Sequence, residues 1–523
     1  MKKIIIGALA LSSFITLVAC SKKTDAKTKT NATSQTTTTK QNTTNKAKTT
    51  IDNINYQSNF EPIVSSSLPR IDINVKDSKM EWYTSVTSDT SAKEYADCNV
   101  IVTEGENVSD ELTGQVKVRG NWTVTYAKKP LRIKFKKAQS MLGLHDGNAY
   151  KNWVLLAEFK DWSMLRNSTA FYLAHLMDKN YASDFRLVNV YLNDEYYGVY
   201  LLAEQQEVNE GRIDINKPEK NYEGTDIGYY VEYDGYYYRE AENEKFSIKY
   251  NHNLVDANGK TYKEYNDQDG TYNMQNGYTI KSDVYSSTQT NFIKNYIQNA
   301  FEVCYQAIYE DKYYEFDSTY QNIVESTTLT NAKDTISKVV DIDSMVNSYL
   351  LADIACDVDI AWSSFFMDVD FSSIGDKLLR FQSPWDFDSS FGNTKGCMNG
   401  EGYYAGAIVK NVNDNEVINP WYVLFYHAEW FRDLVRDKFN AMKKNNYFTK
   451  ITTYITTISN NYETDFANNY TKWGNNTEHY PDTEWELSNS PARLCTTQKE
   501  SAEYLISWFN TRITKLDALY NEE

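Results

Sequence analysis

Apolar and polar positions alternate in short runs from about residue 69 onward. Ile71-Asp72-Ile73-Asn74-Val75 and Asn99-Val100-Ile101-Val102 are followed by Gln115-Val116-Lys117-Val118 and Leu131-Arg132-Ile133-Lys134-Phe135. A period of two marks half-buried antiparallel strands. The period then changes: Leu165, Thr169, Leu173 and Leu176 fall on one helical face, with Asp161 or Ser163 placed to cap it. Two apolar runs, 186–192 and 197–203, flank Asn193-Asp194-Glu195 and read as a hairpin. Residues 211–285 are rich in Tyr, Gly, Asn and Asp and read as a β-rich insertion. Its tyrosines (Tyr229, Tyr230, Tyr233, Tyr236, Tyr237, Tyr238) either pack as an edge of sheet or form a binding surface. Helical patterning returns over 288–317 and 342–354, and dominates 420–519 apart from a polar break at 467–492. The pattern predicts an α+β chain in three parts. A β-rich part with one helix spans 51–210, the Tyr-rich insertion and connecting helices span 211–335, and a larger, mostly helical part spans 336–523.

The N-terminus reads as an address. Lys2 and Lys3 precede an apolar run of fifteen residues, 4–18, that ends in Leu17-Val18-Ala19-Cys20. That run is short for a membrane-spanning helix and suits a secretory leader over 1–19. Leu-Val-Ala-Cys resembles a bacterial lipobox, in which the Cys20 thiol is lipidated. Each buried acyl CH₂ contributes about 0.8 kcal/mol, so a diacylated Cys20 would hold the chain at a membrane. Residues 20–50 then form a tether. Twelve Thr, seven Lys, one Asp and no aromatic residue occupy 21–50, a composition that cannot bury a core. The expected location is extracytoplasmic, lipid-anchored at the cell membrane.

Charge narrows the partners. The whole chain carries −17; setting aside the leader's two Lys and the tether's net +6 leaves −25 over residues 51–523. So acidic a body speaks against a sequence-independent nucleic-acid partner, because phosphate binding is driven by Lys and Arg. Apolar residues at 41% and charged residues at 24% are ordinary for a folded protein, and 42 Tyr point to extensive sheet. Beyond Cys20 the cysteines (Cys98, Cys304, Cys356, Cys397, Cys495) are widely spaced without CxxC, which predicts mostly buried thiols and at most two bridges. The five His are scattered with no HExxH, so neither zinc nor histidine chemistry is expected.

The candidate chemistry lies between Asp341 and Gly392. Four Asp-x-Asp pairs fall there (341/343, 357/359, 368/370, 386/388), none of which completes an EF-hand. Asp357-Val-Asp359 follows an apolar helix; Ser364 then opens a β-like run, a turn at 372–377 reverses it, and the return ends in Pro384-Trp385-Asp386-Phe387-Asp388. Helix, acidic loop, hairpin, acidic loop brings both loops to one end of the hairpin. Carboxylates so clustered repel unless a cation sits between them, and Mg²⁺ held by one or two carboxylates and substrate phosphates is the natural occupant. The order matches phosphoryl transfer, where one loop Asp receives the hydroxyl proton and a second, after a hairpin, binds Mg²⁺. Neither GxGxxG nor GxxxxGK[ST] precedes these loops.

Several stretches together resemble the CotH kinase family (spore-coat protein H-like). They are Arg119-Gly120-Asn121-Trp122, Lys128-Lys129-Pro130-Leu131-Arg132-Ile133-Lys134-Phe135, Trp153-Val-Leu-Leu-Ala157, Asp161 with Leu165-Arg166-Asn167, the run from Val190 to Glu204-Gln205, and Pro384-Trp385-Asp386-Phe387-Asp388 with Phe391-Gly392. The resemblance spans about residues 70–520. It implies an atypical protein-kinase-like fold and ATP- and Mg²⁺- (or Mn²⁺-) dependent phosphorylation of Ser/Thr on a secreted or cell-surface protein. Carried over, Asp359 is the catalytic base with Asp357 as the fallback, Asp386 the principal metal ligand and Asp388 a secondary one. Lys129 and Lys134 are candidates for the phosphate clamp, and Arg119 for a further phosphate contact. Asp161 and Arg166 would orient the clamp through a salt bridge, and Glu204-Gln205 would meet adenine through the backbone. The sequence departs from the family at Ser363-Ser364, where Asn is common; Ser364 would then ligate the metal, with Asp368 or Asp388 compensating.

Two other readings stay open. A binding or adhesion protein that kept the fold and lost the chemistry fits Ser363-Ser364 and the Tyr-rich segment. A metal-dependent glycosyltransferase would use one Asp-x-Asp pair.

Overall fold

The computed structural model describes residues 58–177, 181–262, 276–410, 415–474 and 490–521. The expected leader, Cys20 and the expected tether lie outside the described residues.

The alternating runs form strands that close on themselves. In the sheet containing β1 (Arg70–Val75), β2 (Ala96–Glu104), β3 (Asn107–Val108), β4 (Leu112–Val118), β5 (Leu131–Gln139), β6 (Tyr150–Leu156), β7 (Phe185–Leu192) and β8 (Glu195–Glu204), the order is β1-β7-β8-β6-β5-β4-β2-β3. β2 also pairs with β1, Ile71 opposite Val102 and Ile73 opposite Val100, so seven strands make a barrel and β3 hangs outside it. Closure removes the sheet edges that would otherwise expose unpaired backbone. Only β1–β7 is parallel. Inward residues such as Ile73, Val116, Ile133, Trp153, Val190 and Leu202 fill the interior. β6 and β8 are apolar on both faces because their outward residues (Val154, Leu156, Val199, Leu201) pack against a second core, beside helix α2 (Arg166–Leu176). A one-turn helix, α1 (Glu81–Thr84), joins β1 to β2. The β7–β8 hairpin turns at Asn193 and Asp194, φ 51° and 65°, as two left-handed residues require.

The Tyr-rich segment does not stand apart as an insertion, and Tyr229, Tyr230 and Tyr233 do not pack at an edge, while Tyr236, Tyr237 and Tyr238 lie beyond the strand. It supplies β9 (Gly228–Asp234), the central strand of a second sheet. That sheet runs β10 (Lys245–Phe246), β13 (Gly277–Ile280), β9, β16 (Phe365–Asp370), β17 (Arg380–Phe381), all antiparallel. Tyr229, Tyr230 and Tyr233 are buried in it. Thus β9, β10 and β13 of the Tyr-rich segment share one sheet with the hairpin that joins the acidic loops. Three short ribbons complete the strands: β11 (Leu254–Val255) with β12 (Thr261–Tyr262), β14 (Tyr314–Phe316) with β15 (Ile323–Glu325), and β18 (Val409–Lys410) with β19 (Glu416–Val417).

Helices cover the second sheet. α3 (Ser287–Tyr309) opens with a capping box, Ser286 to Gln289, and a one-turn α4 (Ala332–Ile336) follows. α5 (Ile342–Ala355) is capped by Asp341 and ends at left-handed Cys356. α6 (Pro420–Tyr426), α7 (Glu429–Lys444), α8 (Tyr447–Asn461), α9 (Glu463–Trp473) and α10 (Gln498–Asn521) follow, giving ten helices among the described residues. None is long and apolar enough to cross a membrane. All five described cysteines are free, four of them buried.

Two of the four Asp pairs serve the fold. Asp341 caps α5, and Asp370 accepts the backbone N–H groups of Ser372 and Asn216 at 2.8 and 2.9 Å. Asp368 is buried on β16; Gln382 donates to its Oδ2, while its Oδ1 and the Gln382 Oε1 have no partner among the described residues. Burial pushes the Asp368 carboxyl up to about 7. A carboxyl raised in the folded state stabilises it fully below its unfolded value of about 3.9, and loses that contribution as pH rises through the folded value. Asp368→Asn, which cannot ionise, is therefore expected to gain stability over the wild type progressively from pH 5 to pH 8. Thermal unfolding across that range reads it, and a difference independent of pH would rule out a titrating Asp368.

Candidate functional site

A cleft of about 1020 Å³ lies between the barrel and the second sheet. Its barrel wall is the end of β4, the start of β5 and the end of β6, which the registers Val118–Leu131 and Leu131–Leu155 bring level. The segment after β8, 205–208, also lines it. The facing wall carries Tyr230 and Glu232 of β9, Lys281, the 358–364 loop and the 385–389 loop.

The two acidic loops meet. Ser390 Oγ donates to Asp357 Oδ1 at 3.3 Å, and the Phe391 N–H donates to the Ala355 carbonyl at 2.8 Å. Asp359, Ser363 and Ser364 from the first loop line the cleft with Asp386 and Asp388 from the second. Backbone strain concentrates here: Cys356, Ser364, Asp386 and Phe391 all have positive φ, at 46°, 60°, 68° and 49°. Side chains hold these bends. The Asp359 N–H reaches Asp357 Oδ1 at 3.2 Å, and the Phe387 N–H reaches Asn167 Oδ1 at 2.8 Å.

Asp357 is buried beneath the loops and does not line the cleft, which leaves Asp359 as the cleft-lining member of that pair. Burial, with the charges of Asp386 and Asp388 added, pushes the Asp357 carboxyl up to about 7. Glu158, after β6, also lines the cleft; burial and the charges of Asp161 and Asp388 push it well above the carboxylate range. Among the described residues, no three His, Cys, Asp or Glu side chains are gathered closely enough to hold a metal alone. Mg²⁺ needs only one or two, with substrate phosphates supplying the rest.

The opposite wall is cationic. Lys117 and Arg132 are cross-strand neighbours, with Lys93 and Arg119 beside them. Among the described residues none of these four forms an ion pair, and Arg132 Nε is a buried donor without a partner. Arg119 lies over the Trp385 ring at 5.2 Å; burial lowers it to about 10, with Asp386 acting the other way. Lys117 is lowered by burial and by Arg132, Lys93 and Arg119. Gly120, φ 96°, allows the turn after Arg119, since a Cβ there would lie 2.3 Å from Thr123 Oγ1.

Not every expected residue is here. Lys129 is no clamp, because its ammonium is bound to the carbonyls of Val124 and Tyr126 at 2.6 and 2.7 Å, away from the cleft. Lys134 is exposed two residues farther along β5 than Arg132, beyond the cleft. Arg132, Lys117 and the buried Lys160, whose Nζ donates to Ser389 Oγ at 2.5 Å, line the cleft instead. Glu204 is sealed inside: its carboxylate pairs with Arg212 at 3.0 Å and His145 at 3.1 Å, and its N–H is bound to the Asp184 carbonyl. Gln205, Gln206 and Glu207 reach the cleft in its place. Asp161 and Arg166 form a fully buried ion pair, off the cleft, and Arg166 Nε donates to the Ser390 carbonyl at 3.1 Å. Asp368 lies away from the cleft and cannot compensate for Ser364.

Glu158, Lys160, Lys117 and Arg132 were legible as charged residues inside or beside the motifs, but nothing ranked them above their neighbours. Glu232 and Lys281 carried no signal, because only the pairing of β9 with β16 brings them to the loops. No curated protein matches the chain. The family model described as CotH kinase protein matches residues 116–516, from the middle of β4 through most of α10 and including both acidic loops, and the chain belongs to that family.

Proposed function

We propose that the chain is an extracytoplasmic atypical Ser/Thr protein kinase, using ATP and Mg²⁺ or Mn²⁺, tethered to the membrane through lipidated Cys20. The observation that carries this reading is the cleft's division of charge. Cations without ion pairs line one wall and carboxylates from two converging loops line the other, as a triphosphate bridging to a metal requires. The donor set fits a hard cation: the carboxylates of Asp386 and Asp388 and the hydroxyl of Ser364 offer oxygen ligands only.

Asp386, with Asp388 and Ser364, would hold the metal, which when bound neutralises phosphate charge as a Lewis acid. Lys117, Arg119 and Arg132 hold the phosphates. Asp359 accepts the proton of the acceptor hydroxyl as its oxygen bonds to the γ-phosphorus. The bond from that phosphorus to the β–γ bridging oxygen breaks, and ADP leaves with the oxygen. The backbone at 205–208 borders the space left for the base. Preorganised charge supplies most of the barrier reduction.

A second reading, a binding protein without catalysis, is favoured by Ser364 standing where a longer ligand is usual. One experiment separates them. Labelled ATP with MgCl₂ should transfer its γ-phosphate to the protein itself or to a Ser/Thr-rich acceptor, and EDTA should stop it. No transfer and no ATP-dependent rise in melting temperature would overturn the kinase reading in favour of the binding protein, with a nucleotide-sugar-dependent rise marking the glycosyltransferase instead.

A further inference from the structure

Glu232 stands in the strand Gly-Tyr-Tyr-Val-Glu-Tyr-Asp, at the centre of the second sheet, and is 9% exposed. An apolar residue would satisfy that position, and a buried carboxylate is costly unless both oxygens are used. Both are. Oε1 accepts the Ser364 N–H at 3.0 Å, and Oε2 pairs with Lys281 Nζ at 2.7 Å. The strand registers explain the meeting: Glu232 lies opposite Phe366 on β16 and Thr279 on β13, so Ser364 and Lys281 each lie two residues along on the same face.

Each contact serves the cleft. Ser364 is a non-glycine residue at φ 60°, a conformation that persists only where the surroundings enforce it. The charge-assisted bond from its N–H fixes that bend where the family pattern is missing its amide side chain. Lys281 lines the cleft, and Glu232 anchors its ammonium there. Neither role is needed for the sheet, which is hydrogen-bonded on both sides of β9 without it.

We infer that Glu232 is a positioning residue, holding the Ser364 bend with one carboxylate oxygen and aiming Lys281 at the substrate's phosphates with the other. The inference rests on the kinase reading for what Lys281 meets, but not for the hold on Ser364.

Three variants separate the roles. Glu232→Gln keeps an oxygen for the Ser364 N–H and loses the charge holding Lys281; Glu232→Ala loses both; Lys281→Met loses only the cation. ATP with MgCl₂ is titrated while tryptophan fluorescence is followed, since Trp122, Trp362 and Trp385 line the cleft. Amide hydrogen exchange is read on the peptide covering 359–366. ATP should bind at least about tenfold more weakly to Glu232→Gln and to Lys281→Met, with KM for ATP rising more than kcat falls. Exchange should accelerate about tenfold in Glu232→Ala alone. ATP affinity within twofold of the wild type in both Glu232→Gln and Lys281→Met, or unchanged exchange in Glu232→Ala, would overturn the inference. If the wild type itself binds no ATP, the kinase reading falls and takes the Lys281 role with it, whereas accelerated exchange in Glu232→Ala would still support the hold on Ser364.

Discussion

Asp386→Asn is expected to lower phosphotransfer by about 10³-fold while the protein stays folded. Asp386 lines the cleft at φ 68°, on the loop that Asn167 and Ser390 tie to α2 and to the first acidic loop. Asn is the informative replacement because it tolerates the left-handed conformation, so the backbone is kept and only the charge is lost. Alanine at that φ would mix strain with charge loss. Asp386 also acts electrostatically on Arg119, so its removal leaves that cation on the barrel wall with less opposing charge. Asp359→Asn should behave differently: transfer falls about 10²–10⁴-fold, the range of a lost general base, while Mg²⁺–ATP still binds. Single-turnover transfer together with equilibrium ATP binding reads both variants. Asp386→Asn that transfers phosphate at more than a tenth of the wild-type rate would sink its role as principal metal ligand.

How far the sequence reveals this site depends on whether the determining contacts are local. The strands at 71–75, 115–118 and 131–135 and the hairpin around Asn193-Asp194 are written in period and turn chemistry, and they form as expected. The convergence of the 357–364 and 386–392 loops is also local, because one hairpin joins them. Barrel closure is not local: it depends on β1 pairing with both β2 and β7, more than a hundred residues apart in the second case. The Tyr-rich stretch reads as an insertion because turn-forming residues surround it, yet Tyr230 to Tyr233 become a sheet centre by pairing with 365–368, far downstream. The clamp fails for a related reason. Lysines at 129 and 134 look equivalent in a run of basic residues, and only the third dimension shows one bound to carbonyls and the other beyond the cleft.

Asp161→Ala should be the most destabilising of the substitutions considered, by about 3–5 kcal/mol, because it leaves the Arg166 guanidinium buried without its carboxylate. The carboxylate also accepts the N–H groups of Ser163, Leu165 and Arg166 at 2.8, 3.0 and 2.8 Å, so it caps α2 from five residues upstream, a task no side chain at the helix boundary performs. Arg166→Met should cost less. It removes the charge, fills much of the same volume, and leaves Asp161 with those backbone donors. Combining Asp161→Asn with Arg166→Met should cost less than the two single changes summed, since a buried ion pair exchanged for packed neutral groups is often nearly neutral in stability. Activity should not recover with stability. The Arg166 Nε bond to the Ser390 carbonyl is, with the Asn167–Phe387 bond, a link from α2 to the Asp386 loop, and methionine cannot make it. Urea unfolding of the wild type, the three single variants and the double variant, followed by transfer assays on the folded fraction, tests both halves. Asp161→Ala within about 1 kcal/mol of the wild type would show that the pair is not what holds this end of α2.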